Sequence, residues 1–253
     1  MSDLSPLPLT LLVFAGLAAG FINTLAGGGS LLALPALALL GLPWEVANGT
    51  NRVAVLLQSA AAARSFRSHG RLVLDDIWPL TLPALLGAGA GAAAASLADH
   101  AVLEPVIITL LVTLGLLMAL RPRLVIASPS EGPLRVADRP SMRLWLFATG
   151  LYGGFLQAGV GYFLLAVLGG GLRYDLARGN ALKLVMVASF TVPALAIFVA
   201  NGLVDWLAGG LLAVASAVGG LLAVRVAVRV DQRVLRWIVV AAITASCGAV
   251  LLR

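Results

Sequence analysis

Gly16-Leu-Ala-Ala-Gly20-Phe-Ile-Asn23, running into Gly27-Gly28-Gly29-Ser30, returns near the middle of the chain as Gly150-Leu-Tyr-Gly-Gly154-Phe-Leu-Gln157, running into Gly159-Val160-Gly161-Tyr162. Each copy reads as an apolar helix, a glycine break and a second apolar helix too short to cross a bilayer. That second arm is about 10 to 12 residues, or roughly 15–18 Å, against a hydrocarbon core of about 30 Å. Its amino end therefore starts inside the membrane. Broken apolar segments in corresponding places of two halves point to a transporter's substrate site, because half-helix ends can face a ligand at mid-membrane depth.

Composition agrees with a membrane setting. The 253 residues are 60% hydrophobic and only 11% charged, with a mean hydropathy of +1.02. Charge-free runs such as Ile77 to Ala98, Leu184 to Val204 and Trp206 to Val224 match the roughly 17–25 residues of a spanning helix. Abundant Ala and Leu without period-two alternation exclude a barrel. The fold class expected is an all-α polytopic membrane protein in a cytoplasmic (inner) membrane. Met1 to Thr10 carries no Lys or Arg, so the first apolar run lacks the basic start of a cleaved signal and is expected to remain as a helix. The net charge of +6 sits in loops without aromatic–basic recognition motifs, which argues against nucleic acid.

Charge sets the topology. Arginines cluster at 64, 67 and 71; at 121, 123, 135, 139 and 143; at 173 and 178; and at 225, 229, 233 and 236. The other connections carry Asp3, Glu45, Asp99, Glu104 and Asp205. Basic and acidic loops alternate only if each glycine-broken hairpin leaves on the side where it started, which puts the arginines in the cytoplasm and both termini outside. Each half then makes a hairpin plus three crossings, an odd number, so the halves are inverted repeats. The first repeat, residues 1–121, is expected to hold a hairpin at 7–41 and helices at 46–63, 77–97 and 103–120. A Pro-rich cytoplasmic linker, 122–143, separates it from the second, 144–253, with a hairpin at 144–171 and helices at 176–199, 204–224 and 234–252. Glu45-Val-Ala47-Asn-Gly49-Thr50 against Asp175-Leu-Ala177-Arg-Gly179-Asn180 supports the duplication.

A helix start offers unpaired N–H groups and about half a positive charge, and glycine lets the backbone approach a ligand closely. The expected site for a small anion is therefore Gly27, Gly28, Gly29 and Ser30 of one tip and Gly159, Gly161 and Tyr162 of the other. Substitution at Gly28 or Gly161 should then hurt more than at Gly87, in the packing motif Gly87-xxx-Gly91. Two cations, Arg52 and Lys183, fall within apolar spans, either to bind the substrate or to snorkel toward headgroups. Asn23, Thr50, Asn51, Gln157 and Asn180 join the expected site, and Gln58 is a further polar side chain expected to face the bundle interior. Some of these amides and hydroxyls serve only to join helices.

No Asp or Glu lies deep in a span, and His69 and His100 fall in loops, so no proton relay, metal site or cofactor is read. Ser30 lacks an in-span histidine and no HExxH occurs, which leaves an intramembrane enzyme without a nucleophile–base pair or metal. The expected partners are a small anionic substrate and the lipid bilayer; pairing of two copies is left open. An anion channel stays an alternative to a carrier.

The first hairpin, Leu34-Pro35, Leu40-Gly41-Leu42-Pro43 before Ala47-Asn-Gly49-Thr50, and their echo from Gly150 to Lys183 together resemble the TauE/SafE (sulfite exporter, TSUP) family over essentially the whole chain. The resemblance implies a secondary transporter, an exporter of sulfite or an organosulfonate such as sulfoacetate; members handling other small organic anions keep the ligand open. Gly159-Val160-Gly161 replaces a triple glycine in the second tip.

Overall fold

The computed structural model describes residues 6–72, 77–98 and 132–229, with scattered positions between 101 and 113. The expected helices 103–120 and 234–252, residues 122–131 of the linker, and both termini lie wholly or largely outside the described residues. Among the described residues every regular element is a helix, joined by short turns. The helices are α1 (Pro6–Leu25), α2 (Ser30–Leu39), α3 (Trp44–Ser68), α4 (Ile77–Leu97), α5 (Ser141–Phe155), α6 (Val160–Leu165), α7 (Leu176–Ala200) and α8 (Trp206–Arg229). A π-helical turn, Ala166–Gly171, extends α6.

Three helices among the described residues are long and apolar enough to span: α4, α7 and α8. α3 has the length, at 25 residues, but carries Asn48, Asn51, Arg52, Gln58 and Ser59, all buried. These recur three, four or seven residues apart, so they form one interior stripe. Outward, Phe14, Trp78, Leu86, Trp145 and Trp206 stand exposed, the surface of a protein solvated by lipid. Trp78 and Trp206 stand in the first turns of α4 and α8, at the level where indole rings favour the headgroup boundary. α3 and α8 each run farther than the 46–63 and 204–224 expected, because arginine is a good helix former. Exposed Arg64, Arg67, Arg225 and Arg229 thus ride on the last turns.

The second hairpin closes on itself at its base. Gly171 packs against the Met142 thioether, Arg139 Nη1 donates to the Gly171 carbonyl at 3.1 Å, and the Leu134 amide donates to Leu172 at 2.9 Å. The start of α5 and the end of the α6 extension are therefore neighbours.

The main helix partners lie in opposite halves: α4 packs along α5, α1 along α8, and α3 along α8 and, less extensively, along α7. Small residues permit the first two contacts. A Cβ on Gly20 would fall 1.9 Å from the Ser216 carbonyl oxygen, and one on Gly154 2.1 Å from that of Ala88. Backbones this close exchange dispersion contacts that lipid tails cannot supply, the main force between helices in a bilayer. Gly87 is equally committed, since its Cβ would meet the Phe147 carbonyl at 2.2 Å. The expected contrast between Gly87 and the tip glycines thus has no steric basis.

Candidate functional site

The two helix breaks meet inside the bundle. At the first, Gly27 takes φ +96° and α2 begins at Ser30 without a side-chain cap or an acidic first turn. At the second, Gln157 and Gly159 take φ +65° and +68°, and α6 begins at Val160. A Cβ on Gly27 would lie 2.3 Å from Gly161 Cα, and one on Gly28 2.0 Å from Tyr162 Oη. The tips touch backbone to backbone, and only glycine permits that approach. Gly27 to Ser30, Gly161 and Tyr162 are thereby brought together, all of them buried.

Each buried cation reaches across to the broken helix of the other half. Lys183, on α7, donates from Nζ to the Asn23 carbonyl at 2.9 Å, the Thr24 carbonyl at 3.0 Å and Asn180 Oδ1 at 2.7 Å. Those three bonds use every proton the ammonium has. Arg52, on α3, donates from Nη1 to the Gly153 carbonyl at 3.2 Å and Gln157 Oε1 at 3.0 Å. Its Nη2 donates to the carbonyls of Gly154 and Phe155, and its guanidinium lies 4.4 Å from the centre of the Phe198 ring. Lys183 thus caps the carboxyl end of α1 and Arg52 that of α5, where orphan carbonyls and the negative dipole end favour a cation. Neither snorkels: their relative exposures are 1% and 0%.

Around these caps the polar side chains pair. Asn23 Nδ2 donates to Gln58 Oε1 at 2.6 Å, and Gln58 Nε2 donates to Thr24 Oγ1 at 2.7 Å. Asn51 Nδ2 donates to Ser30 Oγ at 2.9 Å. Gln157 Nε2 donates to Thr191 Oγ1 at 3.2 Å. Thr50 turns elsewhere, its Oγ1 accepting from the Asp205 amide at 2.9 Å in the α7–α8 connection. Thr24, Gln58 and Thr191 belong to the network although no motif marks them; in Gln58 the signal is its place seven residues after Asn51 on the same helix face.

Comparison with known proteins bears on what this arrangement does. The pattern of the family described as "Sulfite exporter TauE/SafE" matches residues 12–250. A "Probable membrane transporter protein" of Haemophilus influenzae is 26% identical over 92% of this chain and 90% of its own length. "Probable membrane transporter protein ORF9" of a Sinorhizobium species is 26% identical over 93% and 89%, and "Probable membrane transporter protein YfcA" of Escherichia coli K12 is 27% identical over 93% and 87%. No solved structure matches.

Proposed function

Because the chain belongs to the sulfite exporter TauE/SafE family and is a multi-pass membrane transporter, we propose that it exports a small sulfur-containing anion, sulfite or an organosulfonate, held at the glycine tips in mid-membrane. The observation that carries this reading is the sign of the buried charge. Among the described residues the buried charged side chains are Arg52 and Lys183, with no buried carboxylate. Each cation faces a helix end worth about half a negative charge, and α2 adds about half a positive one, so the centre stays net positive. An anion about 8 Å from one cation gains on the order of 2 kcal/mol at an effective dielectric of about 20. A cation there would lose as much.

Inside-negative potential favours outward movement of a monovalent anion by about 2.3 kcal/mol per 100 mV, so export requires no coupling ion. The cytoplasmic side is the one bearing the basic ends of α3 and α8. Alternating access between inverted repeats, each with a hairpin and three crossings, fits the crosswise pairing: α1 with α8 answers α5 with α4, and the Lys183 cap of α1 answers the Arg52 cap of α5. Purified protein in liposomes is expected to move radiolabelled sulfite or sulfoacetate with saturable kinetics. Failure of every anion in a panel that also includes thiosulfate, taurine, sulfolactate and simple carboxylates to move or to stabilise the protein rejects the reading.

A further inference from the structure

A small cavity of about 10 Å³ lies beside the first tip, its wall made by Asn23, Ser30, Asn51, Gln58 and Ser216 together with small and apolar residues such as Gly20 and Val55. It has room for roughly one water-sized group. Three observations describe what it wants. α2 is a ten-residue helix whose start, Gly29 and Ser30, lines the cavity, has no side-chain cap, and has amides that donate to no protein acceptor among the described residues. Asn51, 1% exposed, leaves Oδ1 without a partner while Nδ2 is spent on Ser30 Oγ. Asn23 lines the cavity and its carbonyl holds Lys183, so a cation stands behind the wall.

The unpartnered atom of Asn51 is informative because the two ends of an amide exchange by a half-turn. Turned, Oδ1 accepts from the Ser30 hydroxyl, which is free to donate, and no buried acceptor is stranded. The same turn leaves Nδ2, with its hydrogens, as the unpaired end of a side chain that lines the cavity beside the positive end of α2. Donors then converge on one oxygen-sized space, and no carboxylate lines it.

We propose that this cavity is the seat of the substrate's charged head: one oxygen of an oxyanion enters it and receives hydrogen bonds from Asn51 Nδ2 and the amides of Gly29 and Ser30. This rests on the anion reading above and narrows it to one flank of the first tip, walled by α1, α2, α3 and Ser216 of α8. An oxyanion such as sulfite has further oxygens that a 10 Å³ space does not hold, so loading requires the cavity to widen. Gly20 and Ser216 line it and are also a close contact of α1 with α8, so separation of those two helices is the opening motion.

The test uses full-length protein in liposomes, with radiolabelled sulfite, sulfoacetate and acetate as probes and thermal stabilisation by each anion as a second readout. Asn51→Asp is expected to raise KM at least about tenfold, the scale of a lost hydrogen bond to a charged group, and to abolish the anion-dependent shift in Tm. Ser30→Ala is expected to raise KM less. Thr81→Val, a buried change in α4 away from the cavity, is expected to leave KM unchanged. If Asn51→Asp does not fold, Ser30→Ala decides by KM and Tm shift. Wild-type transport with unaltered KM and Tm shift in the cavity variants overturns this seat and leaves the anion reading intact. A wild-type protein that neither moves nor is stabilised by any probe overturns both.

Discussion

Lys183 and Arg52 carry the energetics of the site through backbone atoms of the other half. Both charges are legible in the sequence as cations at membrane depth, but their role is not. Their acceptors are carbonyls of Asn23, Thr24 and Gly153 to Phe155, which have no sequence signature and lie more than a hundred residues away along the chain. Sequence reasoning offers substrate contact or snorkelling; the geometry adds helix capping. Lys183→Met removes a charged donor from three acceptors and leaves two carbonyls buried, a loss of about 3 kcal/mol. The expected outcome is a lower Tm of the substrate-free protein, measured by unfolding in detergent, with Lys183→Arg retaining more of the stability. An unchanged Tm in Lys183→Met would remove the capping role and return the ammonium to the substrate.

Helix breaks are local and were readable: Gly27 to Gly29 interrupt an apolar run, and the structure ends α1 at Leu25 and starts α2 at Ser30. Gly159 marks the second break in the same way, with φ +68°. The partners of each helix were less readable, because a GxxxG pattern announces a flat face without naming what lies on it. Gly20 meets Ser216 and Gly154 meets Ala88, and nothing in those two serine and alanine positions predicts the match. Gly154→Ala is expected to separate α4 from α5 and lower the yield of folded protein, while Gly210→Ala, whose Cβ would meet nothing within 4 Å, is expected to be silent. The comparison is read as the monodisperse fraction after extraction at increasing temperature. Equal fractions for the two variants would show that the helices tolerate a wider separation than this contact implies.

At the scale of the whole molecule the two cations cross-brace the halves: α3 holds α5, and α7 holds α1. Residues 1–121 expressed alone would bury the Arg52 guanidinium without its acceptors, and residues 122–253 would do the same to the Lys183 ammonium. An uncompensated charge in a membrane interior is costly by several kcal/mol. Each segment alone is expected to be degraded, and co-expression of both from separate messages to restore a pulled-down, protease-resistant pair. Stable accumulation of either segment by itself would deny the brace its importance. The same bracing sets an order of events during synthesis. When Arg52 enters the bilayer, Gly153 to Phe155 have yet to be translated, so the nascent first half must wait in the insertion machinery or accept borrowed partners. Completion of its core is a post-insertional step, timed by the arrival of the second hairpin.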